Sequence, residues 1–353
     1  MVKKFFNNRY FILLIFPFFI GFLTVLSFQP FNFTFINFII LPLFFYLIVF
    51  ISKKSKSIYR KRPYKINFFL VGISFGFGFY LSGISWITNS LTFDENFIIL
   101  IPIALIFIPL FLSLFVAIPV LIIGPKLKFN FKSIIIFSAC LAVSDYSRAK
   151  LFTGFPWNLW AYSTSWANEI LQILNYVGLY AYNLIVITLF LLPIAIFFKI
   201  SKVQKITIVS IIISIVLILY ILGSYIINKN DKFLESSNEK IFVKIISPNF
   251  ELKYGLTESD IKKRFEKLIR YSDPEKDKKT LFIWPEGVFS GYSYNEIYSF
   301  KDLIKSNFSN NHLIIFGVNK ADYQFNQFYN SMVVVDDKFE LIKSYNKRKL
   351  VPF

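Results

Sequence analysis

Apolar residues are distributed unevenly along the chain, and the change comes near residue 228. Up to that point long apolar runs follow one another with short polar breaks, whereas later runs are shorter and separated by charged and turn-forming residues. A helix needs about 20 mostly apolar residues to cross a bilayer. Seven runs predict such helices, the fifth being the shortest: 10–28, 33–51, 66–90, 98–123, 133–147, 177–198 and 206–227. We therefore predict a transmembrane helical domain over residues 1–228.

The first of these runs also has features of a secretory signal peptide, because lysines precede an apolar stretch. No small-residue cleavage site follows it, and the second apolar run comes directly afterwards. These features favour a retained first transmembrane helix.

Lysine and arginine cluster before the first run and in every second connection between runs. The clusters lie at 3–9, 53–65, 126–132 and 199–205, while the connections FQPFNFTF and LTFDEN contain neither residue. Cytoplasmic loops of membrane proteins carry such an excess of positive charge. The pattern predicts a cytoplasmic N-terminus, and seven crossings would place the residues after 227 outside the cytoplasm.

Composition agrees with a membrane protein, since 55% of the residues are hydrophobic and 20% are aromatic. The formal net charge of +18 is also typical of nucleic-acid-binding proteins. Much of that charge, however, lies in the short loops between apolar runs, and no basic stripe on one folded face can be drawn. We therefore expect no nucleic-acid partner.

Beyond a predicted linker at 229–240, strands alternate with helices. Two amphipathic stretches predict helices: ESDIKKRFEKLIRYS and YNEIYSFKDLIKSNF. Five runs predict strands: IFVKIISPN, TLFIWPE, LIIFGVNKAD, FYNSMVVVDD and FELIKSYNKRKLVPF. This alternation is typical of βαβ units around one sheet. Residues 241–353 are few for such a layered domain, so we expect it to be incomplete.

Two charged residues follow strand-like runs in positions suited to catalysis. Glu286 comes after a buried parallel strand, and active sites of α/β proteins form at the carboxyl edge of the sheet. A carboxylate there is suited to general-base work, although acids at strand ends also cap the next helix. Lys347, in SYNKRKLVPF, is suited to stabilising an oxyanion, although a lysine in a basic cluster is commonly a solvated charge.

Cysteine and histidine each occur once. A single cysteine, Cys140, excludes an intramolecular disulfide and a cysteine-based metal site. It lies inside the fifth apolar run, where we expect it to pack as a small buried residue. His312 begins a strand-like run, and we expect a surface or strand-edge position rather than a ligand role.

Tryptophans concentrate in the segment DYSRAKLFTGFPWNLWAYSTSWANEILQ, which follows the fifth run and includes Trp157, Trp160 and Trp166. Tryptophan favours the headgroup region of a bilayer, where an apolar ring keeps a polar edge in water. The segment is therefore either an ordinary aromatic belt or a re-entrant stretch that binds lipid.

The order of motifs resembles a known superfamily. Glu286 after Trp-Pro, a strand containing YNS and Lys347 in YNKRKLVPF resemble nitrilases (carbon–nitrogen hydrolases), whose catalysis uses a Glu–Lys–Cys triad. In the apolar half, FQPFNF, GFGFYLSGISWITNSL and DYSRAKLFTGFPWNLWAYS resemble the first outer loop, third helix and signature segment of apolipoprotein N-acyltransferases. The resemblance covers nearly the whole chain, and TGFPW and YNKRKLVPF are its most specific parts.

This resemblance implies a fold and a reaction. The fold is a helical domain in the bacterial inner membrane followed by part of a periplasmic, nitrilase-like αββα sandwich over 241–353. The enzyme takes an acyl chain from a membrane phospholipid onto a cysteine and passes it to the N-terminal amine of a diacylglyceryl apolipoprotein, without metal or cofactor. Glu286 would be the general base, and Lys347 would stabilise the oxyanion. Substrate or lipid contacts are expected at Trp157, Trp160, Tyr329 and Asn330.

The sequence departs from the family pattern in one important respect. The family's nucleophilic cysteine lies well downstream of the lysine and before a final membrane helix, whereas these residues end at Phe353. We expect a truncated chain that is inactive alone, or one completed by a separate chain. Three alternatives remain: a non-catalytic or degenerate lipid-binding member, a membrane-anchored amidohydrolase, and a transporter. Transport is the weakest, because Asp145 and Arg148 are among few embedded charges.

Overall fold

The structure is a computed structural model that describes residues 8–58, 64–151, 154–236, 241–251, 253, 255–322 and 327–348. Its contacts divide the chain into two compact units, Met1–Phe233 and Leu234–Phe353. The first unit is helical, and the second is built around a β-sheet.

The described part of the helical unit contains eight helices. They are α1 (Phe11–Ser27), α2 (Asn37–Ile58), α3 (Tyr64–Ile84), α4 (Ile101–Ile123), α5 (Phe131–Arg148), α6 (Asn168–Leu171), α7 (Leu174–Leu191) and α8 (Lys202–Ser236). Shorter 3₁₀ turns connect or extend them: Thr34–Ile36, Ser85–Phe93, Glu95–Leu100, Gly124–Lys126, Trp160–Thr164 and Leu192–Phe197.

Each of the seven predicted apolar runs coincides with one of the longer helices. Among the residues that the structure describes, five helical stretches are long and apolar enough to cross a membrane: Thr34–Lys53, Lys65–Phe93, Glu95–Lys126, Leu174–Phe197 and Lys202–Ser236. Helix α1 is a shorter apolar helix that combines π, α and 3₁₀ turns, and α5 carries Lys132, Asp145 and Arg148. The prediction of an apolar helical domain is confirmed, while the count of seven crossings stays a prediction.

Glycines let three helices of the first unit approach closely. A Cβ added at Gly72 of α3 would lie 2.6 Å from the Cα of Ala117 in α4. On another side of α3, a Cβ at Gly78 would lie 2.1 Å from the carbonyl oxygen of Phe18 in α1. Small residues at helix contacts are typical of packing within membranes. The GISFGFGF sequence therefore places α3 between α1 and α4.

The last helix of this unit differs from its prediction. Helix α8 continues to Ser236, so the first eight residues of the segment 229–240, expected to be a linker, are helical. KNDKFLES contains no glycine or proline to end a helix, and lysine, leucine and glutamate favour helices. Residues 237–240 lie outside the described residues.

The described part of the second unit contains a five-stranded sheet in the order β1–β2–β3–β4–β5. The strands are β1 (Phe242–Ile245), β2 (Thr280–Ile283), β3 (His312–Asp322), β4 (Gln327–Val335) and β5 (Leu341–Asn346). The first three run parallel, and β4 and β5 add antiparallel strands at the β3 edge. All five predicted strands are present in the described residues.

Helices α9 (Glu258–Ser272), α10 (Tyr294–Ile297) and α11 (Lys301–Asn307) bury their apolar side chains with one face of the sheet. The second predicted helix is divided, because a 3₁₀ turn at Tyr298–Phe300 separates α10 from α11. Helix α9 begins with a capping box between Thr257 and Asp260, which satisfies backbone donors at its first turn.

The other face of the sheet carries apolar side chains that are exposed in the described part of the chain. Residues paired across neighbouring strands point to the same face of the sheet. The exposed apolar side chains on this face include Leu313 (41% exposed), Met332 (47%), Tyr345 (53%) and Ile245 (77%). Exposed apolar patches of this kind mark surfaces that other elements cover.

Phe265 of α9 lies at the centre of this core. Its ring is fully buried and contacts the rings of Phe289, Phe300 and Phe339 at centroid distances of 4.4, 5.5 and 5.7 Å. We expect Phe265→Ala to destabilise the second unit by about 3–5 kcal/mol, since it removes buried apolar surface and leaves a cavity. Hydrogen exchange of β2 and β3 amides in urea measures this, with Phe242→Ala, on a half-exposed ring of the edge strand, as control. Equal effects of the two variants would contradict the assigned core.

Candidate active site

Glu286 follows β2 at the carboxyl edge of the parallel strands. After Ile283 the chain continues through Trp284, whose backbone N–H donates to the carbonyl of Ile315 at 2.8 Å. Gly287 then takes a positive φ of 74°, which reverses the chain at low steric cost. The buried strand ending in Trp-Pro-Glu thus delivers a carboxylate to the position that the sequence predicted.

Gly317 of β3 makes room for this carboxylate. A Cβ at that position would lie 3.0 Å from the Cα and 3.1 Å from the Cγ of Glu286. Either contact is tighter than ordinary van der Waals packing. A side chain at 317 would therefore displace Glu286 from its neighbours.

Two polar groups reach Glu286 from the antiparallel edge of the sheet. The Nδ2 of Asn330 in β4 donates to Glu286 Oε1 at 3.1 Å, and the Nζ of Lys347, just after β5, lies 3.4 Å from the same oxygen. The backbone N–H of Lys347 donates to the Asn330 carbonyl at 2.8 Å, which fixes one residue against the other. The structure thus brings Glu286 and Lys347 together, although they are 61 positions apart in the sequence.

The electrostatics of this cluster keep Glu286 ionised. The hydrogen bond from Asn330 is the largest cause and lowers the pKa of Glu286 below its ordinary value. Partial burial opposes it, and the positive charge and hydrogen bond of Lys347 each lower the pKa by less. A lowered pKa means that the interaction with Lys347 is present at neutral pH and is lost as pH falls through that pKa. The side chains of Glu286 and Lys347 are 65% and 37% exposed, so solvent screens their attraction.

Asn330 therefore controls the acidity of Glu286. We expect Asn330→Ala to raise the pKa of Glu286 toward its ordinary value, because the variant removes the largest cause of the depression. A pH titration of the Glu286 carboxyl carbon by ¹³C NMR measures the change. Asn311→Ala is the matched control, since the Asn311 amide donates to the Lys276 carbonyl at 2.9 Å instead. An unchanged Glu286 titration in Asn330→Ala would contradict this contact.

A cavity of about 240 Å³ lies beside Glu286, between the segments that follow β1 and β2. Arg264 of α9 joins the two segments, since its guanidinium donates to the carbonyls of Val288 at 2.7 Å and Glu251 at 2.9 Å. Partial burial lowers the pKa of Arg264. The sequence pattern does not indicate that Arg264 joins these two segments, because Arg264 occupies an ordinary polar position of an amphipathic helix.

The structure separates the other predicted substrate- or lipid-binding residues. Asn330 contacts Glu286, whereas Tyr329 is adjacent on the strand, points to the opposite face and donates its hydroxyl to Gln327. In the helical unit Trp157 is 48% exposed, but Trp160 is 4% exposed and stacks on Phe79 at 5.2 Å. The burial of Trp160 does not fit the predicted direct lipid contact.

The single histidine and the single cysteine lie away from the Glu286 cluster in sequence. His312 is buried, which corrects the expected surface position: its Nδ1 accepts from the Ser309 N–H at 3.1 Å, and its ring packs against Phe282. Cys140 lies in α5, as predicted, but it is half-buried rather than buried as expected. Among the described residues, no group of three or more His, Cys, Asp and Glu side chains is arranged to hold a metal ion.

Comparisons with known proteins agree with these motifs. Residues 20–192 match the family model described as the apolipoprotein N-acyltransferase N-terminal domain. The chain is 24% identical over 347 residues to the apolipoprotein N-acyltransferase of Bradyrhizobium diazoefficiens, which covers 94% of this chain. It is 23% identical over 306 residues to that of Brucella melitensis, covering 80% of this chain, and 35% identical over 118 residues, 33% of this chain, to that of Rickettsia bellii.

The chain is similar to apolipoprotein N-acyltransferases over most of its length. It spans 54% of the length of the Brucella relative, 63% of the Bradyrhizobium relative and, in the shorter match, 23% of the Rickettsia relative. These relatives are bacterial, and in the described part of this chain five helical stretches are long and apolar enough to span a bilayer. The chain is therefore a bacterial membrane protein.

Proposed function

We propose that this chain carries two catalytic residues of a phospholipid:apolipoprotein N-acyltransferase: Glu286 as the general base and Lys347 as the oxyanion-stabilising lysine. The observation that supports this most is the contact between Glu286 and Lys347, two residues distant in sequence whose side chains meet at 3.4 Å beside a cavity. A carboxylate and an ammonium at one sheet edge can serve the same reacting thiol.

The first half-reaction forms a thioester. Glu286 takes the proton of a cysteine thiol, and the thiolate attacks an ester carbonyl of a phospholipid. Lys347 stabilises the negative charge that develops on the carbonyl oxygen. The C–O bond then breaks, Glu286 returns the proton to the leaving alcohol, and a lysophospholipid departs.

The second half-reaction passes the acyl chain to the acceptor. Glu286 takes a proton from the N-terminal amine of a diacylglyceryl apolipoprotein as the nitrogen attacks the thioester carbonyl. Lys347 again stabilises the oxyanion. The C–S bond breaks, the thiolate recovers the proton, and the lipoprotein amine becomes an amide.

The thiol comes from outside these 353 residues. Their single cysteine, Cys140, belongs to an apolar helix of the other unit and packs with its core. The 353-residue chain alone is therefore inactive in this proposal, and either further polypeptide or a second chain supplies the nucleophile. The exposed apolar face of the sheet is consistent with a second sheet packed on it, as in an αββα sandwich.

Lipid contact is assigned to Trp157, whose half-exposed indole suits the headgroup region. The helices α1 to α5, α7 and α8 form seven crossings of the inner membrane with a cytoplasmic N-terminus. The second unit then lies in the periplasm, and the charged connections predicted to be cytoplasmic lie on the inner side.

This topology predicts opposite labelling of two positions. In intact spheroplasts, a membrane-impermeant maleimide should label Lys276→Cys, in the exposed loop before β2, and should fail to label Lys126→Cys, after α4. The reason is that seven crossings place the two positions on opposite sides of the membrane. Both variants are made in Cys140→Ala, and both should react after detergent lysis. Labelling of Lys126→Cys alone would reverse the proposed orientation.

An assay in lipid vesicles tests the function. The 353 residues followed by a cysteine-bearing C-terminal segment of a family member, called the completed chain below, are reconstituted with phospholipid and a diacylated lipoprotein. Mass spectrometry should show one added acyl chain on the lipoprotein. Hydrolysis of a small amide without acyl transfer would favour the amidohydrolase alternative, and lipid binding without either reaction would favour a non-catalytic member.

A further inference from the structure

Two opposite charges are buried inside the helical unit at the end of α5. Arg148 is 1% exposed and Asp145 is 7% exposed, and Arg148 Nη2 donates to Asp145 Oδ1 at 3.1 Å. Tyr80 of α3 places its ring 5.3 Å from the Arg148 guanidinium carbon. Charges in such surroundings are costly, so they mark functional positions more often than packing positions.

Arg148 also holds the backbone of the segment that follows α5. Its Nη1 donates to the carbonyl oxygens of Phe155 at 2.7 Å and Trp157 at 2.6 Å. These carbonyls are outside any helix or strand, and in an apolar unit such groups need donors from side chains. The planar guanidinium serves two carbonyls and one carboxylate together, which a lysine ammonium does with poorer geometry.

The opposite end of the segment is held through the same carboxylate. Asn183 of α7 donates from Nδ2 to Asp145 Oδ2 at 2.9 Å, and its Oδ1 accepts from the backbone N–H of Ala161 at 2.9 Å. Asn183 is fully buried. One continuous network therefore fixes residues 155–161 at both ends, between α5 and α7.

The fixed segment determines where its tryptophans lie. Trp160 is stacked on Phe79 inside the core, with the two rings 15° apart. Trp157 instead lies beside Trp86, with ring centroids 5.4 Å apart, and the two indoles are 48% and 47% exposed. This pair is a half-exposed aromatic surface of the helical unit.

We propose that Asp145, Arg148 and Asn183 are positioning residues for the phospholipid donor. Their network holds segment 155–161 so that Trp157 and Trp86 form a fixed aromatic surface against which the phospholipid packs at its headgroup–acyl boundary. Two indoles preset in this way lose little conformational freedom when lipid binds. The lipid role of this surface rests on the proposed function, whereas the ordering of the segment can be measured without activity.

Hydrogen exchange of the 353-residue chain in phospholipid nanodiscs tests the ordering. The key variant is Asp145→Asn/Arg148→Gln, which removes both charges together and so leaves no unpaired buried charge while losing the two carbonyl contacts. Asn183→Ala is a second variant that releases only the Ala161 end and keeps the ion pair. Lys150→Gln is the matched control, since Lys150 is an exposed cation two residues beyond Arg148 whose ammonium lies 5.7 Å from the Tyr146 ring.

We expect amide exchange in a peptide covering 155–161 to accelerate at least about tenfold in both variants, with little change in α3 and α4. The control should exchange as the wild type does. Wild-type exchange of this peptide in Asp145→Asn/Arg148→Gln or in Asn183→Ala would overturn the positioning role. Faster exchange throughout the helical unit in both variants would also overturn it, because the network would then maintain the fold as a whole.

Kinetics of the completed chain add a readout that a purely structural role does not move. The KM for phospholipid should rise about tenfold in Asp145→Asn/Arg148→Gln, with kcat at saturating phospholipid changed less than about twofold. Arg148→Lys should recover part of that loss. If exchange of residues 155–161 became faster while the KM for phospholipid stayed unchanged, the lipid role alone would be overturned. Acyl transfer that stayed intact in Glu286→Gln would instead contradict the proposed function, and the hydrogen-exchange test of the positioning role would still stand.

Discussion

Replacing Glu286 with glutamine should lower the rate of acyl transfer by the completed chain by about 10²–10⁴-fold, because a general base contributes that much. Glutamine has nearly the same shape, and its carbonyl oxygen can still accept the hydrogen bond from Asn330. It cannot take a proton from a thiol or an amine, so both half-reactions should slow. Release of lysophospholipid and acylation of the lipoprotein, followed separately by mass spectrometry, measure the two steps.

Glu275→Gln is the matched control for this prediction. Glu275 is an exposed carboxylate that pairs with Lys278 in the loop before β2, away from the carboxyl edge of the strands. The Glu275→Gln variant should keep wild-type activity. Wild-type rates in Glu286→Gln, with the variant folded and inserted, would show that another group acts as the base.

Replacing Lys347 with methionine should lower the rate by about 10²–10³-fold, the usual loss when a donor to an oxyanion is removed. Methionine keeps the length and apolar stem of lysine but has no charge. The loss should appear in kcat, since the oxyanion exists only in the transition state and intermediate. Steady-state kinetics with varied phospholipid concentrations measure it.

The same variant separates two roles of Lys347. Its positive charge lowers the pKa of Glu286, so Lys347→Met should raise that pKa and make Glu286 a stronger base. A slower reaction despite a stronger base therefore supports oxyanion stabilisation. Lys343→Met, on the exposed part of β5, is the control and should keep wild-type rates. A faster reaction in Lys347→Met would contradict the assigned role.

The sequence predicts the elements that depend on local pattern. Ile261, Phe265, Leu268 and Ile269 recur at helical spacing after a Thr257–Asp260 cap, and helix α9 forms there with these residues buried. The apolar run before Trp-Pro-Glu becomes a parallel strand for similar reasons. Both elements carry their information within about 15 residues, so no knowledge of distant contacts is needed.

Other features depend on contacts between distant residues. The Asn330–Glu286 contact depends on the register of β4 against β3, which a strand pattern alone leaves open. Trp157 and Trp160 lie in the same aromatic segment, yet only packing against Phe79 decides that Trp160 is buried. Helix α8 runs past the change in polarity because polarity alone does not end a helix without a stop signal.

The most direct test is to locate the acyl group on the enzyme. The completed chain is incubated with radiolabelled phospholipid in the absence of acceptor, and hydroxylamine-labile acyl groups are assigned to cysteines by mass spectrometry. We expect a thioester on the cysteine of the added segment that persists in Cys140→Ala and disappears in Glu286→Gln. A thioester on Cys140, or undiminished thioester in Glu286→Gln, would contradict it.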